Sequence, residues 1–575
     1  MLLSLLRWID ASAWHYWLAA WVSFALCLLA AVWPPSSGGT GRRWQAPPVF
    51  GVLLCGMVGL FRWPGLTANT QWLNPDESQM LASALTYRHF GALWGHVDGM
   101  SSGPLVSLPL LLPAWFGLPV DYTTARLVGL LLGCSVLVFL WLTLRHVFGD
   151  RPARLLTLPP ACALAFTAYP EYVQYSSEQA PLAYCALALW LMITAFSPDG
   201  KITAPGRLAG SGFVLGLLVV AKLQLVPLGL ILGVTGLVWC VQPRAGPPPL
   251  RRRALVCLLG GTAVALAGLV VSLAWCGELQ DFWLTHILSN FRYAFARDYP
   301  WSAFPPVLCL LADQDLAYVA YALPVLLLLV AVLGWSWLEA RARRVASLAA
   351  ALFAGSIYAV AAPGRLFPHY LLIAIPFAAL LAGSLYGGLI TSSRFGRRTQ
   401  WAIAASFAAI AIVPQVWVRA TTPNLFLGRA YYARGLSKHP VSVLVGNFAR
   451  PGDTLGIWGW MPRYYVETGL PQATREAHTQ REITPNLLRR YLFDRYLADL
   501  QKNRPAVFLD VVGPGSFIYQ DRRTQGHEIF PELRGFLSAH YTQVVDLEST
   551  RVFIRRDRLP VAGVAPEDKI SGPAK

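Results

Sequence analysis

Read for polarity alone, the chain is a series of apolar runs cut by short charged clusters as far as residue 419, after which its texture changes. Runs fall at 15–33, 48–62, 122–146, 154–169, 180–196, 207–221, 224–241, 254–276, 316–338, 345–362, 369–391 and 400–419. A bilayer asks for roughly 20 apolar residues per helix, somewhat fewer in a short or bent one. The pattern therefore predicts an all-α polytopic membrane bundle of about 11–13 transmembrane helices. Arginine clusters at 42–43, 145–154, 251–253, 341–344 and 394–398 separate the runs and mark cytoplasmic loops. With those clusters inside, 63–121, 170–179, 277–315 and 363–368 become outer loops, and the stretch after 419 also falls outside. Met1 is then also outside, unless 1–33 forms a hairpin or an interfacial helix. The opening MLLSLLRWIDASAWHYW lacks a basic start and a small-residue cleavage site, so it reads as an interfacial lead-in to an uncleaved first span.

The outer loop 63–121 is long enough to carry elements of its own. It predicts a helix from Pro75 to Phe90 and a proline-punctuated apolar segment, Leu105–Phe116, lying in the membrane interface. Beyond 419, strand-like runs (Thr454–Trp460, Pro505–Val512, Arg551–Arg555) alternate with helix-like ones (Pro485–Gln501, Phe530–His540). That alternation predicts a small extracytoplasmic α/β domain over 420–575, after a transmembrane domain over 1–419. Its last residues read as a frayed tail.

Composition agrees with the pattern. Of the 575 residues 55% are hydrophobic and only 13% charged, which excludes a soluble globular chain. The net charge of +17 sits in the loop clusters and not on one continuous basic face, so no nucleic-acid partner is expected. Seven of the nine cysteines fall in apolar runs and read as small buried hydrophobes. Cys276 and Cys309 flank one outer loop, where a disulfide can form.

Against this background the tetrapeptide Asn74-Pro75-Asp76-Glu77 stands out. It has a local explanation: Asn74 as N-cap, Pro75 at the first helical position, and Glu77 completing a capping box. It also has a chemical one. A carboxylate pair at the outer membrane face is placed to deprotonate an acceptor, and two adjacent charges raise the pKa of one. Both readings stand at this point.

A span, a long outer loop opening on Asp-Glu, a Gly-Pro-Leu segment at Gly103–Leu105 and Arg126-Leu127 near the next span together resemble the GT-C superfamily of membrane glycosyltransferases. The similarity is to the branch holding protein O-mannosyltransferases and the lipid A aminoarabinose transferase. The resemblance implies a polyprenyl-phosphate-sugar donor and a glycan, lipid or protein acceptor. It also implies Asp76 as catalytic base, with Glu77 beside it. In the second outer loop, Ala168–Pro181, it favours Glu178 over Glu171 as a further acidic group; an interfacial belt of Tyr169, Tyr172 and Tyr175 is the plain alternative. Arg365, His369 and Tyr370, in PGRLFPHYLLIAIP, match the superfamily's basic-aromatic motif near the lipid phosphate. Lys222 interrupts an apolar run and is either a phosphate partner or a snorkelling lysine. After the last span, GIWGWMPRYYVETGLP offers Trp458, Trp460 and Tyr464 as weak acceptor-binding candidates or as domain core.

His369 has no His or Cys companion at metal-ligand spacing, so no metal site is assigned, and need for a divalent metal stays open. The loop 277–315, with His286 and Asn290, is a candidate cap of the cavity. No phosphate-loop or Rossmann glycine pattern is present. The combined expectation is a glycosyltransferase of a bacterial inner (cytoplasmic) membrane. The alternatives are an O-antigen ligase or polymerase using diphosphate-linked glycan, a transporter or flippase, and a scaffold in which Asn74–Glu77 only caps a helix.

Overall fold

The computed structural model describes residues 4, 7–9, 11–32, 46–66, 73–91, 94–167, 169–295, 326, 329, 332, 335–363, 367–422 and 437–559. They form two compact units: Met1–Met80 with Met100–Leu436, and Leu81–Gly99 with Ser437–Lys575.

The first unit is helical. Among the described residues, eight helices are long and apolar enough to cross a membrane: Ala13–Val32, Pro47–Leu66, Tyr122–Phe148, Leu223–Val241, Pro248–Trp275, Ala340–Ala361, Pro368–Ile390 and Arg397–Thr421. Three more of the expected spans are shorter helices, Asp150–Phe166, Gln179–Thr194 and Pro205–Leu217. The expected span 316–338 lies almost wholly outside the described residues, as does Cys309. The chain is an integral membrane protein.

The helices at 205–217 and 226–241 form an antiparallel hairpin. At its open end the Ile202 N–H donates to the Ala245 carbonyl (2.9 Å), and at its closed end a tight turn carries Lys222. A third helix, Pro248–Trp275, packs on the first through small residues. A Cβ on Gly212 would stand 2.0 Å from the Leu258 carbonyl oxygen, and one on Gly261 2.0 Å from that of Ala209. In lipid, where apolar side chains gain nothing by leaving the solvent, such close backbone approach holds helices together. The opposite side of Pro248–Trp275 exposes Val256, Val264, Val271 and Trp275, as a lipid-facing surface should. The segment Pro104–Ser107, Leu108–Leu111, Leu112–Trp115 is helical but broken at its prolines, and it exposes Leu112, Trp115 and Phe116. This is the amphipathic habit expected of an interfacial segment.

The second unit is α/β. Its strands β1 (Leu455–Trp458), β2 (Val507–Asp510), β3 (Tyr541–Leu547) and β4 (Thr550–Arg555) form one sheet in the order β1-β2-β4-β3. β1 and β2 are parallel, the other pairs antiparallel. Both faces of β1, β2 and β4 are apolar: Leu455, Ile457, Val507, Leu509, Val552 and Ile554 bury on one side, Trp458, Phe508 and Phe553 on the other. Leu81–Gly99 belongs to this unit, although no change of texture announces it. Ala82 joins its core, Thr86 Oγ1 accepts from the Gln472 N–H (3.0 Å), and the Asp98 N–H donates to the Arg475 carbonyl (2.8 Å).

The charges inside this unit are nearly all matched. Asp98 accepts from Arg481 and from Arg495, which also binds Glu476. Glu482 differs: it is fully buried, and neither of its carboxyl oxygens has a hydrogen-bond partner among the described residues. Burial, and then the neighbouring Glu476, push its pKa from 4.5 to about 8. An unfolded Glu482 has released its proton above 4.5, whereas the folded one holds it to about 8. The folded state therefore loses stability as pH rises through that window, by at most about 1.4 kcal/mol per pH unit. Hydrogen exchange on the full chain should show protection of Gln480–Ile483 falling from pH 5 to pH 8, beyond the intrinsic change in exchange rate. Glu482→Gln should flatten that slope; an unchanged slope would assign it to other groups.

Candidate functional site

Asp76 owes its place to local helix chemistry. The helix Pro75–Phe90 starts where predicted, and Asn74 caps it: its Oδ1 accepts from the Asp76 N–H (2.7 Å), and its carbonyl accepts from Ser78 Oγ (2.8 Å). Ser78 Oγ also meets Tyr122 Oη (2.8 Å) at the head of the next long helix. Glu77 departs from the capping-box expectation. Its carboxylate receives Nε and Nη2 of Arg126 at 3.1 and 3.0 Å, and its Oε1 also accepts from the Tyr175 N–H (2.9 Å). Both charged side chains are buried. Glu77 therefore ties the first outer loop to the second, and its oxygens are occupied there instead of facing a substrate.

Groups from the second outer loop, from the hairpin turn and from the start of Pro368–Ile373 surround Asp76. Asp76 is half-buried, and its electrostatic neighbours are His369, Glu178, Lys222 and Glu171. Glu178 precedes the helix Gln179–Thr194 and is fully buried. Lys222, at the hairpin turn, donates to Glu178 Oε1 and to Ser177 Oγ, and its ammonium lies 5.2 Å from the Tyr370 ring centre. An ammonium has three N–H donors, so two are used among the described residues. His369 opens the segment Pro368–Ile373. Its Nδ1 meets Glu171 Oε2 at 3.1 Å, and its ring stacks on Phe367 at 5.5 Å. Arg365 lies outside the described residues.

Burial raises the Asp76 pKa above the ordinary aspartate value; His369 and Lys222 pull it back, and Glu178 and Glu171 push it up again. Burial also works against ionisation of Glu178. Lys222 and His369 outweigh it and hold that carboxyl below its ordinary value. The two carboxyls of one site are thus pushed in opposite directions, that of Glu178 down and that of Asp76 up.

The aromatic candidates of the second unit divide. Trp458 and Tyr464 are fully buried on opposite faces of the sheet, which leaves neither a ring face for a sugar; here the weak acceptor-binding expectation gives way to the core reading. Trp460 is half-buried and stacks on His478 at 3.9 Å. In the same unit Asp510, His527 and Glu528 lie close enough to share a metal ion. Arg551 already supplies a cation there, donating to both Asp510 and Glu528.

Sequence reasoning ranked Glu171 below Glu178 and left it out of the site. Only the fold reveals its bond to His369, 198 positions away along the chain. Ser177 was likewise passed over, since a serine in a polar loop carries no signal.

No protein-family model matches this sequence, and neither does any curated protein sequence. Solved structures do match. ArnT from Cupriavidus metallidurans bound to undecaprenyl phosphate superposes with a TM-score of 0.52 at 15% identity, covering 88% of this chain and 98% of that one. The same protein in the apo state gives 0.47 at 15% identity over 87% and 97%. The Archaeoglobus fulgidus oligosaccharyltransferase tethered with an acceptor peptide gives 0.39 at 10% identity over 88% and 69%. At these identities the likeness is one of fold, and it is the first comparison that carries it. The chain shares the membrane fold of that first protein, a helical bundle with a small α/β unit, as its loop motifs led one to expect.

Proposed function

We propose that this protein is a glycosyltransferase that moves a sugar from a polyprenyl-phosphate carrier to a glycan, lipid or protein acceptor at the outer face of a bacterial inner membrane. The observation that carries this reading is the gathering of half-buried Asp76 with Lys222 and His369 at one end of the helices, on a fold shared with an undecaprenyl-phosphate-bound protein. Asp76 takes the proton of the acceptor's nucleophilic oxygen or nitrogen as that atom bonds to the anomeric carbon. The bond from that carbon to the phosphate oxygen breaks, and the polyprenyl phosphate leaves with the electron pair. Developing charge on the phosphate meets the ammonium of Lys222 and the imidazole of His369, with Arg365 as a further cation from the same motif. Glu178 holds Lys222 in place. In this reading the second unit lies outside the cytoplasm, and Glu77 supports the site instead of acting in it.

The test is transfer itself. Membranes holding the protein are incubated with a panel of labelled polyprenyl-phosphate sugars, and label is followed into lipid, glycan and protein fractions. The expected result is consumption of one monophosphate-linked sugar with covalent transfer to one fraction. Consumption of only diphosphate-linked oligosaccharide, or movement of label across the membrane without a new covalent bond, would overturn the proposal.

A further inference from the structure

The turn bearing Lys222 is gripped by a residue that has no side chain. Gly103 donates its N–H to the Ala221 carbonyl (2.8 Å), and a Cβ at Gly103 would lie 2.0 Å from the Val220 carbonyl oxygen and 2.5 Å from its carbon. These are backbone atoms and cannot swing aside as a flexible side chain can. The backbone angles of Gly103, φ −80° and ψ 173°, are open to any residue, so glycine is required here by space and not by conformation.

The surroundings leave no slack to absorb a methyl group. On one flank Asn290 Nδ2 donates to the Met100 carbonyl (2.8 Å). On the other, Pro104 follows directly, Tyr184 Oη donates to the Leu105 carbonyl (3.1 Å) and Tyr175 Oη to that of Val106 (2.5 Å). The turn in its own right is tied by His286 Nε2 to the Val219 carbonyl (2.9 Å) and by Gln224 Nε2 to the Ala359 carbonyl (2.7 Å).

We propose that Gly103 is a positioning residue: by letting two backbones close on each other it sets where Lys222 points, and so sets the match between that lysine, Glu178 and the departing phosphate. This rests on the function proposed above. It also gives the Gly-Pro-Leu segment a physical role, in which Gly103 makes the contact and Pro104 fixes the start of the helix that follows it. A displacement of about 1 Å at a group that must meet a developing charge costs on the order of a hundredfold in rate.

The expected result is that Gly103→Ala lowers kcat about a hundredfold with a smaller change in KM, and that in a Lys222→Met background the same change costs nothing further. Gly133→Ala, whose added methyl meets nothing within 4 Å, serves as the control and keeps full activity. A second readout needs no turnover: Lys222→Cys is labelled with a cationic methanethiosulfonate, and its rate is compared with and without Gly103→Ala. A change of about tenfold is expected. Should Gly103→Ala fail to accumulate, Asn290→Ala frees the Met100 flank without adding an atom and should shift the same labelling rate. Unchanged labelling, or losses that multiply in the double variant, would overturn the proposal. If labelling shifts but no prenyl-phosphate sugar is consumed, the clasp stands and the functional reading falls; unchanged labelling in an active transferase sinks the clasp alone.

Discussion

Asp76→Asn is expected to reduce transfer by about two to four orders of magnitude while the protein inserts and folds as before. General bases contribute about 10²- to 10⁴-fold, and this one has no substitute within the described cluster, since Glu178 is bound to Lys222 and Glu171 to His369. Stability should hold because the ionised Asp76 is disfavoured in the folded protein: burial, with Glu178 and Glu171 nearby, raises its pKa above the 3.8 of an ordinary aspartate. At neutral pH the folded state therefore gains no stability from that charge, and an uncharged amide of the same shape leaves it no worse. The pH profile supplies a second signature. A base must be unprotonated, so kcat/KM should fall as pH drops through the raised pKa, with an acid limb above the usual aspartate range. Single-turnover transfer measured beside thermal unfolding separates the outcomes. Normal turnover of Asp76→Asn would remove Asp76 from the reaction. A loss of turnover matched by a loss of folding would make it structural.

Much of the architecture was legible because lipid enforces a simple code. Spans must be apolar and helical, so the runs at 48–62, 122–146 and 369–391 found their helices within a few residues. The helix Pro75–Phe90 was legible for a different reason, since its capping residues are written locally. Strand β3 was missed. It is a sheet edge with most of its residues exposed, and Tyr541–Leu547 has no apolar alternation strong enough to show. The membership of Leu81–Gly99 in the α/β unit was illegible because it rests on contacts with residues nearly 400 positions away, such as Thr86 with Gln472. Within the site, sequence could single out acids in outer loops but could not say which were already paired. That is why Glu77 entered as a candidate for chemistry and Glu171 did not.

The two neighbouring acids are expected to fail in opposite ways. Successive residues on a helix point about 100° apart, so Asp76 can face the open cluster while Glu77 turns into the protein toward Arg126. Glu77→Gln keeps the shape but removes the charge from a fully buried pair. Arg126 then loses its carboxylate in a dry site, and breaking such a pair costs about 3–5 kcal/mol. The Tyr175 N–H loses a charged acceptor as well, which loosens the loop that carries Glu178. The expected outcome is a marked drop in folded protein recovered from membranes and in its unfolding temperature, with activity lost in proportion. Arg126→Met should do similar damage from the other side, stranding a buried carboxylate. The double variant Glu77→Leu/Arg126→Met should recover much of the stability lost by either single change, because replacing a whole buried pair by apolar groups is close to neutral. A catalytic Glu77 makes the contrary forecast: Glu77→Gln would fold normally and turn nothing over, and the double variant would be as inactive as the single. Unfolding temperature set against specific activity for the four proteins decides between a strut and a reagent.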